Sequence, residues 1–82
     1  MPADNSAQLR IPPQFVEGER AILGGLLIDN DPLPKVVAVL DSDDFYKEAH
    51  RQIFNAVRHL FEKNEPVDWL TLTAALKESG SL

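Results

Sequence analysis

Cysteine is absent from the 82 residues. That removes disulfides and thiolate metal sites, and it fits a reducing compartment. Long apolar runs are missing too. The longest nearly unbroken one, Ala21 to Ile28, is far too short to span a bilayer. The opening "MPADNSAQLR" has no apolar core of the kind a signal peptide needs. No segment of useful length alternates with period two, so strands are not expected. None of the four glycines precedes a lysine followed by serine or threonine, which excludes a phosphate-binding loop and leaves no nucleotide-hydrolysis machinery. Basic residues number 8 against 13 acidic ones, a formal charge of −5. Such a surface repels phosphate, and direct nucleic-acid binding would need a local basic patch. The expectation is a soluble, intracellular, single-domain protein with a modest core.

What the chain does have is helical spacing. After a polar stretch expected to be a flexible arm (residues 1–11), Phe15, Val16, Ile22, Leu23, Leu26 and Leu27 share one arc of a 3.6-residue wheel. The arc keeps its phase across Gly24 and Gly25, so one helix is predicted to run through to about Ile28, although each glycine costs about 1 kcal/mol against alanine; the alternative is that Gly24 ends the helix as a left-handed cap. Gly18, Ala21 and Gly25 form a strip of small residues beside the arc. The spacing suggests that a neighbouring helix lies close against that strip, and that Gly25→Leu would be strongly destabilising. Asn30 or Asp31 is expected to cap a second helix with Pro32 at its first position and Leu33, Val36, Val37 and Leu40 on one face. A third helix is predicted from about Lys47 to Glu62, with Ile53, Phe54, Val57, Leu60 and Phe61 along one side. Pro66 ends that region. Asp68 suits the N-cap of a fourth helix, Trp69, Leu72 and Leu76 form its stripe, and Gly80 stands where a C′ glycine belongs. The architecture predicted is all-α: a small, compact, orthogonal bundle of about four main helices.

Candidate chemistry is sparse. His50 and His59 are nine residues apart, too far along one helix to share a metal. Asp43, Asp44 and Glu48 read as helix-capping acids before they read as a cation site. Glu19 falls inside the apolar arc of the first helix and must find a partner. Arg51 and His50 are the candidates, in an ion pair joining the first and third helices. Trp69 and Phe61 are expected in the core by their spacing, although aromatics also serve as partner hot spots. The last two helices could be taken for a helix-turn-helix, but "DWLTLTAALKES" offers one lysine and no arginine to phosphate. No catalytic, cofactor-binding or metal-ligating residue is assigned. Glu19, Arg51, Gly18, Gly25 and Asp68 are assigned structural roles.

The runs "IPPQFVEGERAILGGLLID" and "DDFYKEAHRQIFNAVRHLFEKNEPVDWLTLTAALKESGSL" resemble the N-terminal domain of bacterial replicative DNA helicases of the DnaB type. The resemblance is carried first by Pro12, Pro13, Glu17 and Glu19, then by Leu23, Gly24, Gly25 and Asp29. It continues through Asp44, Phe45 and Tyr46; His50, Arg51, Ile53 and Phe54; Pro66, Val67 and Asp68; Thr71 and Leu72; and Gly80 and Leu82. Two positions depart from the pattern. Phe15 stands where the family usually has a capping serine, and Gly18 replaces an alanine, so the first helix is expected to fray at its start.

The resemblance implies that residues 12–82 are the helical head of that domain, and that the following helical hairpin, linker and RecA-like ATPase are absent from this chain. ATP and magnesium would then belong only to the absent motor, and no cofactor is expected here. The implied partners are other helicase subunits, in a trimer-of-dimers collar on a hexamer, and primase, in the cytoplasm and away from membranes. Little direct DNA binding is implied, and the chain alone is expected to be a monomer or weak dimer. An alternative is a free-standing adaptor similar to the helicase-binding domain of primase.

Overall fold

The computed structural model describes residues 15–81, which form four α-helices and one 3₁₀ turn: α1 (Val16–Ile28), α2 (Leu33–Val39), the turn at Ser42–Asp44, α3 (Glu48–Glu62) and α4 (Trp69–Glu78). The fold is all-α, with no strand among the described residues. The expected arm, Pro12, Pro13 and Leu82 lie outside them.

The centre of the bundle is α3, against which α1, α2, the 3₁₀ turn and α4 all pack. Its Phe54, Val57 and Leu60 are buried, each worth roughly 1.5–3 kcal/mol of transfer free energy. They divide the core into two connected parts. Towards α4, Val57 and Leu60 meet Leu26, Leu27, Leu33, Val67 and Leu72. Towards the 3₁₀ turn, Phe54 meets Leu23, Leu40 and Phe45, with the two phenyl centroids 5.0 Å apart. Arg58 closes this second part, its guanidinium 5.4 Å from the Phe54 centroid and 2.7 Å from Asp41 Oδ1. The Arg58 hydrogen bond, with the Ser42 N–H, holds the Asp41 carboxyl below its ordinary pKa.

The helix ends follow local chemistry. Asp68 Oδ1 accepts the Thr71 N–H at 2.9 Å while Thr71 Oγ1 accepts the Asp68 N–H at 3.0 Å, a reciprocal cap on α4. Gly80 takes φ +80°, and Ser81 N–H reaches back to the Leu76 carbonyl at 2.9 Å. At the end of α3 the same device uses Asn64, at φ +61°, with Glu65 N–H on the Leu60 carbonyl at 3.0 Å.

Three features differ from the sequence expectation. First, α1 does run unbroken through Gly24 and Gly25, but no helix lies on the small-residue strip. Ala21 and Gly25 are exposed, and a Cβ added at Gly24 or Gly25 would meet no atom within 4 Å. At Gly18 the nearest atoms to an added Cβ belong to the ring of Phe15, from its own segment. The wheel correctly grouped these residues on one flank, but α3 packs against the side carrying Glu19, Leu23 and Leu26. A leucine at Gly25 therefore has no close neighbour to strike. Second, Trp69 is 68% exposed, because it opens α4 on the rim of a groove rather than under α3. Third, α2 has no side-chain cap, and Pro32 sits at its N-cap position with Pro34 in the first turn.

Asn30 is otherwise engaged. Its Nδ2 donates to the carbonyls of Leu26 (2.8 Å) and Val67 (2.9 Å), and its Oδ1 accepts the Val67 N–H at 2.9 Å. One side chain thus ties the end of α1 to the approach to α4, 37 residues away. Val67 is buried, so its backbone groups depend on this amide for their partners. Asn30→Ala is expected to cost about 2 kcal/mol in denaturant unfolding, mostly from the orphaned Val67 amide. A loss under about 0.5 kcal/mol, the size of an ordinary surface change, would contradict that role.

Candidate functional site

The most chemically charged point of the interior is Glu19, which is fully buried in the first turn of α1, on the face that meets α3. Its Oε1 lies 2.8 Å from His50 Nδ1 and 3.3 Å from the Lys47 N–H, and Oε2 accepts the Tyr46 N–H. A carboxylate can only accept, so Nδ1 carries the proton of this bond. Lys47 supplies no side-chain cap to α3. The Glu19 carboxylate instead accepts the N–H groups of the two residues just before α3, near the helix end where the dipole also favours negative charge.

Burial by itself raises the Glu19 pKa. The bonds from the Tyr46 N–H, the His50 ring and the Lys47 N–H outweigh it, and the pKa ends below its ordinary value. Arg51, the other candidate partner, does not reach Glu19. Its Nε donates to the Phe45 carbonyl at 2.7 Å and its Nη1 lies 3.4 Å from Glu48 Oε1. That arrangement pins the loop entering α3 to the helix's first turn.

A lowered folded pKa means that the unfolded chain takes up the proton first as pH falls. The stability supplied by Glu19 is therefore complete above the unfolded value of about 4.5 and is lost as pH falls through the folded value beneath it. Glu19→Gln replaces one acceptor with a donor facing N–H groups and is expected to cost about 2 kcal/mol at pH 7. Urea titrations from pH 7 to pH 3 should show the gap between wild type and variant narrowing on acidification. A gap of constant width would mean that the charge of Glu19 does not contribute.

Beside this pair a shallow groove of about 220 Å³ opens between α1, α3 and α4. Leu23, Leu27, Ile53 and Leu72 line it, and the exposed indole of Trp69 stands at its edge. Gly24 leaves the α1 side open, since it places no Cβ there. Arg20 and His50 are the residues bearing polar side-chain atoms other than the indole among those lining it. Trp69 and Gly24 each stand out in the sequence, but their adjacency is tertiary and no local pattern encodes it.

Among the described residues no group of His, Asp and Glu side chains could hold a metal ion, and no helix is long and apolar enough to cross a membrane. Asp44, one of the acids before α3, accepts the Asp41 N–H at 2.8 Å and so serves as a cap.

The described residues thus form an all-α bundle with a buried carboxylate clamp and an open apolar groove. Its family can be stated. Residues 11–82 match the model of the DnaB-like helicase N-terminal domain, and the chain belongs to that family. It is similar to proteins named replicative DNA helicase DnaB from several bacteria. The Rhodothermus marinus protein is 44% identical over 73 residues, covering 89% of this chain and 8% of that protein. The Geobacillus stearothermophilus protein is 42% identical over 73 residues, covering 89% and 16%. The protein of Buchnera aphidicola from Schizaphis graminum is 37% identical over 75 residues, covering 92% and 16%. The chain thus spans about a sixth or less of the length of these curated relatives.

Proposed function

We propose that this chain is the head of the N-terminal domain of a cytoplasmic replicative DNA helicase, acting as a non-catalytic docking element. The observation that carries the reading is the family match over residues 11–82, together with relatives named replicative DNA helicase. In this role the head helps form a collar, a trimer of dimers, on a hexameric helicase, and it presents a surface to primase. The net charge of −5 favours protein partners over the DNA phosphate backbone. α4 strengthens that preference, with Lys77 as its one cation and neither arginine nor histidine. ATP binding and hydrolysis, with magnesium, fall to parts of the helicase beyond this head, because no phosphate loop occurs in these residues.

An NMR titration of the isotopically labelled chain with the helicase-binding domain of a primase tests the reading. Chemical-shift changes confined to one contiguous face, saturating at micromolar concentrations, are expected. Spectra unchanged by a large excess of the primase domain would overturn primase docking by this head.

A further inference from the structure

Asn30 bonds both the N–H and the carbonyl of Val67, so residues 29–31, after the end of α1, lie beside residues 66–68, before the start of α4. Trp69, in the first turn of α4, shares the lining of the groove with Gly24 and Leu27, and so stands against the last turns of α1. Ile28 follows Gly24 by one turn on the same flank of α1. Leu70 comes next to Trp69, on the outward side of α4. These side chains are 86% (Ile28), 68% (Trp69) and 79% (Leu70) exposed. Large apolar groups standing this far out in two adjoining segments mark an interaction surface, unlike apolar residues scattered singly.

The same two segments carry charge of one sign. Residues 26–31 and 65–72 contain Asp29, Asp31, Glu65 and Asp68, all exposed, and no lysine, arginine or histidine. Among the described residues the ion pair that reaches any of these acids is Lys63–Glu65, at 3.7 Å with both side chains about half exposed. Such a pair neutralises little. An apolar ridge within an acidic rim is complementary to a surface that is apolar in the middle and basic at its edges. A second copy of this chain would set acid against acid, and nucleic-acid phosphate would meet the same repulsion. No strand among the described residues offers an edge to extend, so a helix is the partner element that fits. We propose that the junction of α1 and α4 docks a basic amphipathic helix of a partner protein. Its apolar side chains rest on Ile28, Trp69 and Leu70, and its lysines or arginines face Asp29, Asp31, Glu65 and Asp68. This deepens the docking-head reading and rests on it.

The test uses synthetic helices of about twenty residues, long enough to be helical alone, followed by amide and Trp69 indole shifts of the labelled chain. One helix carries leucines along one stripe with lysines on both sides of it. The other replaces those lysines by glutamates. The lysine helix is expected to shift Ile28, Asp29, Asp31, Trp69 and Leu70, and the glutamate helix to leave them in place. Asp31→Lys and Glu65→Lys alter side chains with no bond that holds the fold. Each should weaken the lysine helix about two- to fivefold, the worth of an exposed ion pair. Leu70→Ser removes an apolar contact and should weaken it roughly tenfold or more while the remaining spectrum is unchanged. Asp43→Lys reverses an exposed acid in the 3₁₀ turn, outside this surface, and should change binding less than twofold.

Equal losses in Asp43→Lys and Asp31→Lys would reduce the effect to general attraction by an acidic protein and overturn the proposal. Binding indifferent to Leu70→Ser would overturn it as well. So would shifts of the same resonances on simple concentration of the chain, which would make a second copy the occupant. The primase titration of the unaltered chain is read separately, so this surface can fall while the docking role stands.

Discussion

The packing of this bundle depends on how a buried negative charge is neutralised. Glu19 sits on the one face of α1 that must be apolar to meet α3, and an unpaired carboxylate there would cost several kcal/mol. The chain meets this cost with three donors delivered by one short segment: two consecutive backbone N–H groups, of Tyr46 and Lys47, and the ring of His50. All three belong to the entry of α3, so the charge can be satisfied only when α3 starts at the right residue and lies at the right height against α1. Hydrophobic contact between the two helices is tolerant of sliding; this contact is not. Arg51 and Phe45 hold the same entry from the other side, and Phe45 is fully buried against Phe54. The clamp thus sets register, while the two parts of the core supply most of the cohesion.

The clamp also borders the groove. His50, whose Nδ1 is committed to Glu19, is among the residues that line it, with Gly24 and Trp69. The mid-helix glycines acquire a different meaning from close helix packing. Gly24 keeps the groove open, and α1 accepts the propensity cost because its neighbours Leu23, Leu26 and Leu27 are all buried.

Much of this was legible in the sequence where the cause is local. The Asp68–Thr71 cap, the Gly80 terminator and the limits of α1 and α3 depend on residues within one turn of each other, and spacing alone places them. A carboxylate inside an apolar arc announced itself at Glu19, and the choice of partner narrowed to two neighbours in sequence. Which of the two it was depended on which points at α1 once α3 is wound, and Arg51 instead found the Phe45 carbonyl. Contacts between distant segments left no trace: nothing near Asn30 indicates that its amide serves the backbone of Val67. The wheel misled for Gly25 and Trp69 for one common reason. It reports which residues share a direction from the axis, not whether another element arrives there.

Hydrogen exchange at the amides of Tyr46 and Lys47 tests the central claim most directly. If Glu19 clamps the entry to α3, both amides exchange only through opening as rare as that of the α3 interior. In Glu19→Gln their protection then falls about tenfold more than that of the Glu65 amide at the far end, as expected for hydrogen bonds to a charge worth about 1.5 kcal/mol. Amides at Tyr46 and Lys47 that exchange as freely as exposed loop residues in the wild-type chain would contradict it.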